Sequence, residues 1–251
     1  MTQDFLDTLK LHNNATLLGT VTAIYDIGCL LGAITAMIWA EKWGRKASLI
    51  YGTTIMAIGA LLQITAYGVP QMIVGRVISG IGNGINTSIA PIWQGETSQM
   101  RWRGKLVVIE TIVNIAGFSL SNWITFAFSF ISGPVAWRFP LAFQFFFIFI
   151  LFATVPWLPE SPRWLVSHGC PDEAVRIIAD LEDKGIDEPY VVTQYTEIAA
   201  AVAYEHQNSV SWGDLLRGNV GENQGTCAIR RMALSAGAQF MQQAAGINVT
   251  R

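Results

Sequence analysis

The chain has 251 residues, 51% hydrophobic and only 14% charged, with a formal net charge of −2. Soluble domains carry about a quarter charged residues, so this composition, with a mean hydropathy of +0.37, reads as a membrane protein. The near-neutral balance leaves no basic footprint for a nucleic acid. Three scattered cysteines, Cys29, Cys170 and Cys227, fit neither a disulfide framework nor a zinc spacing.

Met1–His12 is polar and mildly acidic, so no cleavable signal peptide is expected. It ends beside a glycosylation sequon, Asn14-Ala15-Thr16, set almost against the first apolar stretch. Five stretches then have the length and apolarity to cross a bilayer: about Ala15–Ala40, Ala47–Tyr67, Gln71–Trp93, Leu106–Phe130 and Phe139–Leu158. A sixth begins near Met232. Backbone polar groups in lipid must be satisfied within the segment, so each is expected to be a helix. Asp26 interrupts the first and is read as the only acid well inside a span. Gly28 and Gly32, and the run Gly80-Ile81-Gly82-Asn83-Gly84, have the spacing of close helix contact.

Basic residues set the orientation. Lys42, Arg45 and Lys46 follow the first span, Arg101, Arg103 and Lys105 the third, and Arg163, Arg176, Arg217, Arg230 and Arg231 lie in the stretch after the fifth. The alternate loops are short and nearly free of such residues, which puts the first set in the cytoplasm. The expected organisation is an external segment over 1–14, five transmembrane helices over 15–158, a cytoplasmic helical linker over 159–231, and the start of a further span over 232–251. Within the linker, Pro171–Lys184 opens with helix-starting residues. It repeats Ala174, Ile177, Ile178 and Leu181 at amphipathic spacing. A weaker helix is expected over Tyr195–His206 and a short turn over Ser211–Leu216. No phosphate loop, metal-ligand cluster or nucleophile constellation appears, so neither an enzyme nor a cofactor is expected.

Residues at the span ends form an ordered set. Glu41-Lys42-Trp43-Gly44-Arg45-Lys46 follows the first span, and Gly75-Arg76 enters the third. Pro91-Ile92-Trp93-Gln94-Gly95-Glu96 and Arg101-Trp102-Arg103-Gly104 frame the loop after it. Pro159–Leu165 closes the fifth span, and Gln242-Gln243-Ala244-Ala245-Gly246-Ile247-Asn248 lies in the sixth. The set resembles, in order and over the whole chain, the motifs of the sugar porter branch of the major facilitator superfamily, in the style of its fungal members. Pro159–Leu165 matches the branch's Pro-Glu-Ser-Pro-Arg-Trp-Leu without a change.

The resemblance implies an all-α membrane protein with a partial major facilitator fold. Of the twelve helices of that plan, the chain would hold about helices two to seven and the cytoplasmic helical linker. It would lack helix one and helices eight to twelve, with Met1–Asn14 as the external loop after helix one. The implied activity is transport of a sugar or polyol by alternating access, in a multi-pass protein of the plasma membrane. A sugar sensor of the same fold, or a truncated product that transports nothing, are the other readings.

The resemblance also assigns residues. Glu41, Arg45, Lys46, Arg76, Glu96, Arg103, Glu160 and Arg163 are expected to form a cytoplasmic gate, with Glu160 and Arg163 docking the linker. Arg101 and Lys105 are read as topology-setting charges. Gln242, Gln243 and Asn248, with Gln239 one turn earlier, are expected to contact the substrate. Amides offer donors and acceptors to hydroxyl groups without a charge to desolvate. One departure stands out: many sugar porters carry a substrate-binding Gln eight residues after the Arg of Arg-Gly, and that position here is Thr111, between Glu110 and Asn114. A polyol, even glycerol, therefore joins the hexoses as an expected substrate. Asp26 is the candidate to carry a co-transported proton, since acids inside the membrane are costly and functional by default.

Overall fold

The computed structural model describes residues 15–99, 101–131, 133–207, 230 and 233–241, and among them regular structure is helical, without a strand. Helix α1 spans Ala15–Trp43 and α2 spans Arg45–Ile64, so Gly44 alone joins them. Its φ of 89° lies in the left-handed region, which a residue without Cβ adopts at least cost. A Cβ at this position would also stand 2.8 Å from Glu160 Oε2. Gly44 is thus demanded twice, by backbone and by neighbour.

Helix α3 (Val69–Thr97) follows the turn at 65–68, with Pro70 in its first turn, where no intrahelical N–H bond is lost. Helix α4 covers Arg103–Phe128 and α5 covers Val135–Thr154, which tightens into a 3₁₀ turn at Val155–Trp157. A helix is found at each of the five stretches between 15 and 158, shifted by a few residues, and Arg138 lies inside the first turn of α5 rather than in a loop.

Helix α3 is the centre of the assembly, packed lengthwise on α1 and on α2. In lipid no hydrophobic term favours one apolar contact over another, so close approach of small residues does the work. Gly80 and Gly84 face α1, where Gly28 and Gly32 stand opposite. A Cβ at any of the four would run into the partner helix's backbone. On the other side Gly75, Ser79 and Gly82 meet α2, at Gln63, Gly59 and Met56. The glycine spacing read from the sequence is therefore a packing device.

Among the described residues, four helical stretches have the length and composition to cross a membrane: Gly19–Trp43, Arg45–Ile64, Arg103–Phe128 and Val135–Trp157. Five were expected. Helix α3 is long enough at 29 residues, but carries Arg76, Asn83 and Asn86 besides its glycines. Its polar side chains turn inward instead: Asn86 Nδ2 donates to Thr53 Oγ1 at 3.2 Å, and Asn83 reaches Cys29 Sγ.

Between the 3₁₀ turn and residue 207 come α6 (Pro162–Ser167), α7 (Pro171–Glu182) and α8 (Pro189–Gln207). Ser161 caps α6, its hydroxyl accepting from Trp164 N at 3.3 Å. The buried stripe of α7 is Ala174, Ile178 and Ala179 with Val175 beside them, packed on Val191 of α8. Ile177 and Leu181, expected in that stripe, are only half-buried. Helix α8 starts six residues before the expected Tyr195, because Pro189 supplies a helix-ready first turn. The expected turn at Ser211–Leu216 lies outside the described residues.

Candidate functional site

Motif residues of four segments, Glu41, Arg45 and Lys46, Trp93 and Glu96, and Glu160 and Trp164, converge at the end of the assembly marked by Gly44. Arg45 opens α2 and Glu96 lies in the last turn of α3. They form a two-pronged ion pair, Nε to Oε2 at 3.1 Å and Nη2 to Oε1 at 3.2 Å. Both side chains are largely covered, at 17% and 13% exposure. Planar fork-to-carboxylate geometry is the strong form of such a pair. The third Arg45 bond, Nη1 to Ala40 O at 3.1 Å, satisfies a carbonyl in the last turn of α1.

Glu160 uses backbone partners. Its Oε1 accepts from Arg45 N at 3.0 Å and Lys46 N at 3.2 Å, and from Ser161 N at 3.0 Å. The first N–H groups of any helix lack intrahelical acceptors, and the helix dipole favours an anion there. Glu160 is therefore the N-terminal cap of α2, supplied from 115 residues further along the chain. Around it, Lys46 Nζ donates to Pro156 O at 2.5 Å, Trp93 Nε1 to Pro159 O at 3.2 Å and Trp164 Nε1 to Glu41 O at 2.6 Å. Gln99 Nε2 reaches Leu181 O of α7 at 2.9 Å. One carboxylate pair thus ties α1, α2 and α3 to the segment that leads into α6.

The other expected residues are placed as follows. The side chain of Glu41 is exposed and contributes through its carbonyl. Arg163 is half-buried in α6. Arg103 stands exposed in the first turn of α4, outside the Arg45–Glu96 pair. Arg76 needs a correction: it lies in the second turn of α3, so Glu96, 20 residues on, is about 30 Å away along the helix. Its neighbours are Tyr25 and, around that ring, Asp26 and Cys29 of α1. Asp26 is exposed. Gln239 is exposed within helical residues 233–241, and Gln242, Gln243 and Asn248 lie outside the described residues. Asp26 is not alone as an intramembrane acid, for Glu110 sits two turns into α4 and is half-buried.

A family model described as "Sugar (and other) transporter" matches residues 3–250. The chain belongs to this sugar transporter family. It is 54% identical to the MFS-type transporter oryC of Aspergillus oryzae over 99% of its own length and 46% of that protein. It is 34% identical to the sugar transporter STL1 of Saccharomyces cerevisiae, over 92% of this chain and 40% of that one. The fold matches the proton:xylose symporter XylE with a TM-score of 0.72 at 23% identity, covering 81% of this chain and 46% of that one. The chain spans about half the length of the curated relatives it matches.

As a member of the sugar transporter family it is a multi-pass membrane protein and not an enzyme. Within the family motifs, the reading by charge named the ion pair but missed the indole donors Trp93 and Trp164 and the capping role of Glu160. The tryptophans were visible in the motifs. Gln99 carried no signal, since its partner is a carbonyl, which every residue has.

Proposed function

We propose that the chain is the larger part of the N-terminal half, with its linker, of a transporter that carries a sugar or polyol across the plasma membrane by alternating access. The Gly44 end faces the cytoplasm in this reading, in keeping with its excess of Lys and Arg. The observation that carries it is the Arg45–Glu96–Glu160 cluster. Such a cluster ties helices together at one end, and releasing it lets that end open, as rocking about a central site requires. Gln239, Gln242, Gln243 and Asn248 are the amides we assign to the substrate, and Asp26 the acid we assign to a coupled proton. Hexose-like sugars and glycerol are the substrates this reading favours.

The test is uptake of radiolabelled D-glucose and glycerol by the complete protein, in a host without carriers of its own. Saturable uptake of either compound, lost in Glu96→Ala at unchanged surface expression, is the expected result. Uptake that survives Glu96→Ala unaltered would remove the gating role, and no uptake of either compound would remove the transport reading.

A further inference from the structure

Helix α4 is a membrane-length helix without one buried residue. Its polar side chains are not scattered. With 100° between successive residues, Glu110, Thr111, Asn114, Ser121, Asn122 and Thr125 fall within an arc of about 120°. Val107, Phe118 and Phe128 are the apolar members of that arc. The opposite side carries Val108, Ile109, Ile112, Val113, Leu120 and Trp123, interrupted by Ser119 alone between 106 and 128.

An apolar arc of this width suits lipid. A polar arc in the same span suits only protein or water, because unsatisfied polar groups in hydrocarbon are expensive. The two threonines solve the problem locally, donating to Val107 O and Ser121 O at 2.9 Å each. Among the described residues Glu110, Asn114, Ser121 and Asn122 have no such partner, and all but Glu110 are exposed. A carboxylate inside a span costs about 2.5–3.5 kcal/mol at the helix centre. Its retention beside an amide one turn away calls for a ligand that uses both.

Resting on the transport reading above, we propose that Glu110 and Asn114 form a binding pair for the adjacent hydroxyls of an uncharged polyhydroxy substrate, with Ser121, Asn122 and Thr125 lining its path. Side chains four residues apart on a helix are neighbours. The carboxylate accepts from two hydroxyls at once, and bonds to an ionised acceptor are shorter and stronger than neutral ones. The Asn114 amide supplies the donors that Glu110 lacks and one more acceptor. The pair replaces, one residue before and three after, the amide expected at Thr111.

Single cysteines placed in the complete protein, at Asn114, Ser121 and Ile112, test the proposal with a water-soluble thiol reagent and radiolabelled glycerol and D-glucose. Asn114→Cys and Ser121→Cys are expected to react and Ile112→Cys to stay inert, with the transported compound slowing reaction at 114. Glu110→Gln is expected to raise the half-saturating concentration about tenfold, the equivalent of about 1.4 kcal/mol, with little change in maximal rate. It should also erase a preference for 1,2-propanediol over 1,3-propanediol as competitor. Inert Asn114→Cys, or labelling there that no transported compound slows, would mean that another helix covers this face, and would overturn the proposal while leaving transport intact. Should Glu110→Gln fail to reach the surface, the cysteine series, which keeps Glu110, decides. Absence of uptake by the unsubstituted protein defeats the transport reading itself, and this pair with it.

Discussion

Helices α3 and α4 are both membrane-length, and both carry glycine and asparagine, yet they solve opposite problems. In α3 every such feature but Gly95 is turned to a neighbour: Gly80 and Gly84 admit α1, Gly75 and Gly82 admit α2, and Asn83 and Asn86 have partners. In α4 Gly104 and Gly117 meet nothing within 4 Å of where a Cβ would stand, and Asn114 and Asn122 are exposed. The same residue types serve cohesion in one helix and are available for recognition in the other. Composition alone does not separate these uses; the neighbour does.

The sharpest way to break this contrast is a bulky residue in each helix. Gly84→Leu drives a side chain into the α1 backbone and is expected to cost about 3 kcal/mol or more, read as a large loss of thermal stability or of folded protein. Ala116→Leu on the exposed side of α4 should stay within about 0.5 kcal/mol. Equal effects would show that α3 is no more tightly held than α4.

Next in size is the charge cluster that holds the end of α3. Arg45→Ala or Glu96→Ala strands a mostly covered charge, which costs about 3–5 kcal/mol for a fully buried pair and about 2 kcal/mol after allowance for the residual exposure here. The double substitution should cost clearly less than the two singles together. Strict additivity in a double-mutant thermal series would deny the pairing.

A third comparison sets like against like. Asn86→Ala removes the donor to Thr53 Oγ1, which keeps its own bond to Leu49 O, and should cost about 1 kcal/mol, whereas Asn114→Ala should leave thermal stability unmoved and weaken uptake. Smallest in stability is Asp26→Asn on the exposed side of α1, expected within about 0.5 kcal/mol. Its effect belongs to pH-gradient-driven accumulation, which should fall while exchange of substrate across the membrane persists. Full accumulation in this variant would clear Asp26 of proton coupling.

Much of this was legible in the residues. Charge-free stretches announced the helices, because lipid leaves the backbone no other solution. Gly28, Gly32, Gly80 and Gly84 announced a close contact by spacing alone. The motif charges announced that Arg45, Glu96 and Glu160 belong together. What stayed hidden had one physical character, namely bonds to the main chain. Glu160 caps α2 through N–H groups, Trp164 holds Glu41 by its carbonyl, and Gln99 finds Leu181 O, and no side-chain chemistry at the partner betrays any of these. Arg76 was drawn to the wrong end because a motif lists residues in order without saying how far along a helix each one sits. For α7, apolar spacing was compatible with two neighbouring stripes, and only Val191 of α8 chose between them.

Gly44 leaves α1 and α2 with a joint one residue long. Such a joint has no slack: a tilt of one helix is passed at once to the other, and α3, interlocked with both, must follow. With the Arg45–Glu96 pair closed these three helices travel as one solid piece, and release of that pair frees the end of α3 while α1 and α2 stay joined. A pair of spectroscopic rulers on α1 and α2 should report one fixed distance through an entire working cycle, whatever the rest of the molecule does.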